Sequence, residues 1–245
     1  MVGLGKVKGN EISLEHAVRE KKKYQYLVDD AGAWTERKDV RFVRYMSGNG
    51  PLNNEWMTVK GNTLGPEFGI GHPLGNAIDA PVMILKCCIG NRSLGWDLAP
   101  PGSERFEFVI KDKAGAEKTM VYAGYKDKPN SWEMDPARYE ENLVRFIQQL
   151  RTEFNAPNAK FVLATMGESV KGGTGPGAQV LEGHLAVDGS NGKYPEFKGN
   201  VATIYTNPMA QGGSGNGHYG GKAEVYMDVG EAMGQAMVEL LKEPK

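Results

Sequence analysis

Residues 82–89 (VMILKCCI) put the tightest limit on what this chain can fold into. A nearly continuous apolar run that follows a proline, Pro81, reads as a central strand buried on both faces, the kind found in parallel sheets. The run ends in Gly90-Asn91-Arg92-Ser93. Open parallel sheets bind ligands just beyond the carboxyl ends of their strands, which makes this turn a natural site.

The segments around it alternate between strand and helix patterns. Residues 40–46 (VRFVRYM) alternate apolar and polar side chains, the period of a half-buried strand. Residues 66–77 (PEFGIGHPLGNA) read as a helix with Phe68, Leu74 and Ala77 on one face, against the weakening effect of Pro73 and three glycines. Residues 106–110 and 119–122 suit a hairpin around Lys113-Ala114-Gly115. Residues 138–154 (RYEENLVRFIQQLRTEF) predict a helix whose stripe is Tyr139, Leu143, Phe146, Ile147 and Leu150. Residues 161–165 follow as a buried strand ending in Met166-Gly167-Glu168, and 201–205 as another short strand. Residues 222–241 place Val225, Tyr226, Val229, Met233, Ala236, Met237 and Leu240 at helical spacing, with the methionines as core packing. The recurring order of strand, helix and strand predicts a three-layer α/β/α sandwich on a parallel sheet, flavodoxin-like, in one domain over residues 1–245.

Composition narrows the function classes. The chain has 245 residues, 40% hydrophobic and 24% charged, ordinary values for a globular protein with one sizeable core. Its 29 basic and 30 acidic residues leave a net charge of −1 with no long run of either sign, which argues against nucleic acid as a partner. The one basic cluster, 19–23, reads as a solvated face. No stretch reaches the apolar length of a membrane span, and no signal peptide opens the chain. Cys87 and Cys88, the two cysteines, are adjacent and lie in the apolar run, so free, buried thiols are expected. His16, His72, His184 and His218 are scattered without a ligand spacing, so a dedicated metal site is not expected.

Candidate chemistry gathers in loops. His218 lies in the glycine-rich stretch 212–221 (GGSGNGHYGG), just before the last predicted helix. A neutral imidazole there can take a proton from a hydroxyl nucleophile and hand it to the leaving group; the plainer alternative is a loop histidine bonded to backbone. A backbone N–H at Gly90, helped by the Asn91 amide, can stabilise an oxyanion, the alternative being a tight turn that needs a positive φ. Residues 172–177 (GGTGPG) lack the Gly-Lys-Ser/Thr ending of a phosphate loop, and Pro176 removes a donor, so they read as a mobile loop. Ser93 and Ser214 sit outside any G-x-S-x-G elbow. Glu67, Glu168 and Asp97 are candidates for polar roles, but no pair has a diagnostic spacing.

Taken together, residues 65–71 (GPEFGIG), 84–94 (ILKCCIGNRSL), 138–146 (RYEENLVRF) and 217–221 (GHYGG) with the terminal helix resemble sialate O-acetylesterase-like proteins. These are carbohydrate acetylesterases of the SGNH-hydrolase superfamily, relatives of the acetylxylan esterases, many of them bacterial. The matches run in the same order over nearly the whole chain. The resemblance implies deacetylation of acetylated sugars through a serine acyl-enzyme, with His218 as general base and Gly90 and Asn91 at the oxyanion hole. It implies an acetylated carbohydrate as partner, no metal or organic cofactor, and a family often secreted or periplasmic.

The chain departs from that pattern in two blocks, and Gly215 stands three residues before His218, where related hydrolases often hold Asp. The family's first strand ends in Gly-Gln-Ser-Asn-Met, whose serine is the nucleophile, whereas this chain opens Met-Val-Gly-Leu-Gly, as if from that methionine onward. The family's Gln-Gly-Glu/Asp block is also missing, since residues 132–137 (WEMDPA) run straight into the helix at 138. The expectation is therefore a sandwich short of its first strand and one middle strand. Three alternatives to an esterase acting through the family serine stand beside it: a non-catalytic carbohydrate-binding remnant, a fragment of a longer esterase, and an esterase rescued by Ser93 or Ser214.

Overall fold

The structure is a computed structural model that describes residues 3–45, 51–88, 94, 101, 104–111, 114–122, 138–210 and 219–242. The chain divides into two compact units. The first comprises Met1–Gly90, Val162–Glu168 and Ile204–Pro244; the second comprises Asn91–Phe161, Ser169–Thr203 and Lys245.

In the first unit a short β1 (Gly5–Lys6) precedes α1 (Leu14–Arg19), which starts where the Ser13 hydroxyl accepts the His16 N–H at 3.2 Å. That cap satisfies one of the orphan donors of the first helical turn. Strand β2 (Glu36–Tyr45) then forms the middle of a three-stranded sheet. It pairs antiparallel with β3 (Pro51–Thr58) and parallel with β5 (Val82–Cys87), Val40 standing opposite Val82 and Tyr45 opposite Cys87. Between them β4 (Thr63–Leu64) pairs antiparallel with β1, and α2 (Glu67–Ala77) crosses over from β4 to β5. The core gathers Val7, Leu14, Val40, Met57, Leu64 and Phe68 against Val225, Tyr226, Met227 and Val229 of α5 (Ala223–Lys242). Of the methionines expected in the core, Met233 is half-buried against it and Met237 is half-buried, while Met227, outside the predicted stripe, is fully buried.

The three-layer sandwich on a parallel sheet does not form. Among the described residues of the first unit the registered strand pairs are antiparallel at β1/β4 and β2/β3 and parallel only at β2/β5, so the main sheet is mixed. One reason lies in 51–58 (PLNNEWMT), whose Asn53-Asn54-Glu55 hides the strand from an apolar count. A second lies in β5, which alternates instead of being buried on both faces: Met83 is 61% and Leu85 53% exposed. The same open face carries Arg41, which bonds to Asn54 and lies 5.1 Å over the Trp56 ring. A face occupied by an arginine and an asparagine stays solvated, unlike those of a helix-covered parallel sheet. Cys87 ends that outward row and is exposed, with Cys88 half-buried; both thiols are free, and the burial expected for Cys87 is not found.

The second unit holds the expected hairpin, β6 (Phe106–Lys111) with β7 (Glu117–Tyr122), antiparallel from Phe106 opposite Tyr122 to Lys111 opposite Glu117. Helix α3 (Tyr139–Glu153) buries Leu143 and Ile147 of its predicted stripe. It packs on α4 (Pro176–Ala186), a helix that opens where the glycine-rich pattern predicts a loop. Pro176 stands in the first turn of α4, after Gly175 at φ +83°, where a missing N–H costs nothing because that donor has no helical partner. Strands β8 (Phe161–Ala164) and β9 (Val201–Ile204) each start in the second unit and finish in the first. The Arg151 guanidinium donates to the Ala159 carbonyl and to Asn200 Oδ1 and lies over the Phe161 and Phe197 rings. No helix among the described residues is long and apolar enough to cross a membrane.

The glycines that weaken α2 as an isolated helix are what let it pack. A Cβ on Gly69 would stand 2.6 Å from the Met227 carbonyl oxygen, and one on Gly230 would overlap the Pro66 carbonyl oxygen. Helices α2 and α5 thus touch backbone to backbone. On the opposite side, Cβ atoms on Gly71 and Gly75 would meet Met57 at 2.5 Å and Val40 at 2.6 Å. Backbone cannot yield as a flexible side chain can. Gly230→Ala is therefore expected to destabilise the fold by about 1–3 kcal/mol through overpacking. The check is a lower urea midpoint at unchanged slope; an unchanged midpoint would mean the two helices are not in this contact.

Candidate functional site

Several chain segments that the sequence set apart meet at one place in the first unit. Gly3, at φ +89°, lies on Gly65: a Cβ there would be 2.6 Å from both the Gly65 nitrogen and Cα. The next turn opens α2 with Glu67, whose side chain folds back. Its Oε1 accepts the Gly65 N–H at 3.1 Å, and Lys86 Nζ donates to both carboxylate oxygens at 2.8 Å. The two side chains are 8% and 10% exposed. A side chain at Gly65 would collide with this pair, 2.5 Å from Glu67 Oε2 and 2.9 Å from Lys86 Nζ. Glu67 and Lys86 thus tie the start of α2 to β5, the strand that leads in sequence to Gly90 and Asn91.

A second polar knot lies after β8 and β9. Thr165 Oγ1 accepts the Thr206 N–H at 3.0 Å, Thr206 Oγ1 donates to the Thr165 carbonyl at 2.7 Å, and Asn207 Nδ2 donates to the Gly167 carbonyl at 2.7 Å. Tyr219 is seated here. Its ring is 5.3 Å from that of Tyr226 in an edge-on arrangement, and a Cβ on Gly167 would stand 2.5 Å from it. Burial raises the Tyr219 hydroxyl above its usual pKa, against a hydrogen bond with Thr206 that lowers it. Tyr219, Gly220 and Gly221 all have positive φ, at 49°, 60° and 74°. For tyrosine this left-handed backbone is costly, and the packing of its ring holds it there. Tyr226 in turn lies against Gly5, where a Cβ would be 2.8 Å from its ring, and Gly221 faces the Leu4 carbonyl.

The residues the sequence singles out for catalysis, His218, Gly90 and Asn91, lie outside the described residues, as do Ser93, Ser214 and Asp97. The structure brings together described neighbours of theirs: the chain's opening glycines, Gly65–Glu67, Lys86 of β5, and the turn that follows His218. Sequence reasoning singles out neither Lys86 nor Tyr219. The signal for Lys86 is a lone charge inside an apolar run, which a folded strand must pair. Tyr219 leaves no comparable signal.

The other histidines are accounted for. His72 is buried on α2; Arg37 Nη1 lies 3.3 Å from its Nδ1, and the Tyr26 ring stacks on it at 4.4 Å. Burial first, and then the Arg37 charge, lowers its pKa to about 4. His184, on α4, has the Tyr139 hydroxyl 3.0 Å from Nε2, and burial lowers its pKa to about 4 as well. Both are neutral structural groups. His16, half-buried on α1, lines an open cavity of about 220 Å³ with Glu11, Ile12, Lys21, Lys222 and Glu224. Among the described residues no group of three or more histidine, cysteine, aspartate or glutamate side chains is arranged to hold a metal ion.

No family model matches this chain, and no curated protein matches it either. Its fold is similar to the X-ray structure of a protein from Arabidopsis thaliana, at a TM-score of 0.51 and 17% identity. The match covers 86% of this chain and 88% of that one. At that identity the likeness is one of fold alone.

The buried groups carry two expectations. Removing one partner of a buried ion pair strands the other, so Glu67→Ala is expected to cost about 3–5 kcal/mol, with Glu67→Ala/Lys86→Met recovering part of the loss. Urea titrations of the single and double variants decide it: equal losses would show that Lys86 does not depend on Glu67. For His72 and His184 the folded pKa is below the unfolded value, so their stabilisation is complete above about pH 6.5 and declines as the pH falls towards 4. Each histidine should cost up to about 3 kcal/mol across that window. Urea midpoints between pH 7 and 4.5 should fall accordingly, and less steeply in His72→Gln and His184→Gln.

Proposed function

We propose that this chain is a carbohydrate O-acetylesterase-like protein whose ligand is an O-acetylated sugar. Four motifs in family order support the reading, and one structural observation carries it. The opening glycines, Gly65–Glu67, β5 and the turn after His218 converge within one compact unit, although up to about 220 positions separate them along the chain. A hydrolytic site assembled from loops needs such convergence, because the nucleophile must reach the carbonyl carbon at about 3 Å while the base hydrogen-bonds the nucleophile and the oxyanion donors meet the carbonyl oxygen.

In the proposed chemistry the family serine is replaced by Ser93 or Ser214, whose hydroxyl attacks the acetyl carbonyl while His218 takes its proton. The Gly90 N–H and the Asn91 amide hold the oxyanion. The imidazolium of His218 then protonates the departing sugar hydroxyl. In the second half His218 deprotonates a water molecule, which releases acetate from the acyl-enzyme. The steps are complete without a metal or an organic cofactor.

A second reading, sugar binding without turnover, is favoured by the serines. Each described serine is committed elsewhere: Ser13 caps α1, Ser169 donates to the Gly177 carbonyl at 3.0 Å, and Ser190 donates to Asp188 at 2.5 Å. The readings separate in an assay of acetate release from 4-nitrophenyl acetate and acetylated xylan by the chain and its His218→Ala variant. The esterase reading expects turnover that falls at least about a thousandfold in the variant. Binding of acetylated xylan by a folded chain that releases no acetate would select the second reading, and neither binding nor turnover would overturn both.

A further inference from the structure

The loop between α4 and β9 reads Asp188-Gly189-Ser190-Asn191-Gly192, and an Asn-Gly pair is the dipeptide most open to spontaneous deamidation. In that reaction the Gly192 backbone nitrogen attacks Asn191 Cγ. The N–Cγ bond forms, the Cγ–Nδ2 bond breaks, and ammonia departs with the proton that the glycine nitrogen gave up. Water then opens the resulting succinimide at either carbonyl, giving aspartate or isoaspartate, with no change of oxidation state. Glycine favours the attack because no side chain shields its nitrogen. Asn191 is exposed, so water and base reach it freely.

The backbone around it works against the reaction. The Gly192 N–H, which must be lost before the nitrogen can attack, donates to the Asp188 carbonyl at 2.7 Å. The Asn191 N–H donates to Asp188 Oδ1 at 3.1 Å, and the Asn191 Nδ2 donates to Ser190 Oγ at 2.8 Å, which directs the amide towards Ser190. Asp188 is itself fixed. Its carboxylate also accepts the Ser190 N–H at 3.0 Å and hydroxyl at 2.5 Å, and Oδ2 accepts the Thr203 N–H at 2.7 Å. Gly192 has no room to turn, since a Cβ there would overlap the carbonyl oxygens of both Ala186 and Asp188. The nucleophile is bonded, its neighbour is held and the amide is engaged, all through contacts that end on one aspartate.

We propose that Asn191 is a latent deamidation site of this chain, with Asp188 the residue that holds it closed in the folded state. Local opening of the loop exposes the Gly192 nitrogen and starts the reaction. The product carries a new negative charge beside Asp188 and, in the isoaspartyl form, one extra backbone carbon, so the Gly192–Asp188 bond cannot re-form as before. Modification would then make the opening permanent.

The test is peptide mapping by mass spectrometry after incubation at mildly alkaline pH, on the full chain, Asp188→Ala and Ser190→Ala, each folded and in concentrated urea. The peptides holding the other two Asn-Gly pairs, 49–50 and 216–217, are resolved separately. For each protein the folded rate at Asn191 is divided by its own rate in urea, which removes any direct effect of the substitution on the chemistry. The wild-type ratio is expected to be about one tenth or less, the tenfold that corresponds to a local opening free energy of about 1.4 kcal/mol. Ser190→Ala, which removes one of the bonds to Asp188, should raise the ratio severalfold, and Asp188→Ala, which keeps the carbonyl that accepts Gly192 but loses every side-chain bond that fixes it, should raise it further while the circular dichroism remains that of the folded chain. If Asp188→Ala fails to fold, Ser190→Ala alone decides. A wild-type ratio near one, or a ratio unmoved in a folded variant, overturns the proposal.

Discussion

The first unit depends on the backbone contact between α2 and α5. Two helices usually keep about 8–10 Å between their axes because side chains stand between them. Here Gly69, Gly230 and Gly234 take side chains out of the seam, so carbonyls of one helix rest on Cα atoms of the other. The consequences run outward from that contact. Pro66 is pressed on Gly230, which fixes the first turn of α2 and with it Glu67. Glu67 can then reach back to Gly65 and across to Lys86. In the same core, Tyr226 of α5 supports Gly5 and the Tyr219 ring. The segments of the candidate site are thus positioned by one helix pair, and a methyl group in its seam would be felt by all of them.

The outer side of α5 does a different job. Glu224, Asp228 and Glu231 follow at helical spacing, and the segment Lys21–Tyr26 lies along them. Lys21 and Lys23 pair with Glu224, Lys23 also reaches Asp228 at 3.3 Å, Tyr24 donates to Asp228 at 2.5 Å, and Tyr26 donates to Glu231. Burial, followed by these carboxylates, raises the pKa of both tyrosines, which stay protonated donors. Ion pairs this exposed add little stability each. Their effect is on charge: a basic cluster that reads in sequence as a free solvated face has lysines facing carboxylates of α5, which leaves less of it for an anionic partner.

What the sequence makes legible follows the physics of each element. Helices α3 and α5 show as a stripe at helical period, and β2 as alternation, because those patterns are set by one buried face. The β6/β7 hairpin shows through its turn. Strand β3 does not show, since Asn53, Asn54 and Glu55 in succession put polar side chains on both of its faces and erase the apolar count. Helix α4 does not, because a proline and glycines that mark a loop also mark a helix start. The parallel sandwich fails for a related reason: a continuous apolar run reports composition, and whether both faces are covered depends on tertiary neighbours. At the site, Glu67 stands out as an acid with no partner at a diagnostic spacing. Its partner lies 19 positions away on strand β5, a distance at which spacing carries no information.

The histidines show how far structure can take the question of a base. A general base needs a pKa near the working pH and access to the proton it removes. Burial takes both from His72 and His184, holding each near pKa 4 behind packed neighbours. His16 keeps its access, and the described residues around it in its cavity are two lysines, two glutamates and an isoleucine. Two of the three described histidines are therefore unsuited to acyl transfer on grounds that owe nothing to any resemblance. If this chain hydrolyses esters with a histidine base, the proposed motif assigns that base to His218. The residue that follows it in sequence, Tyr219, opens a turn whose left-handed backbone is held by a buried ring.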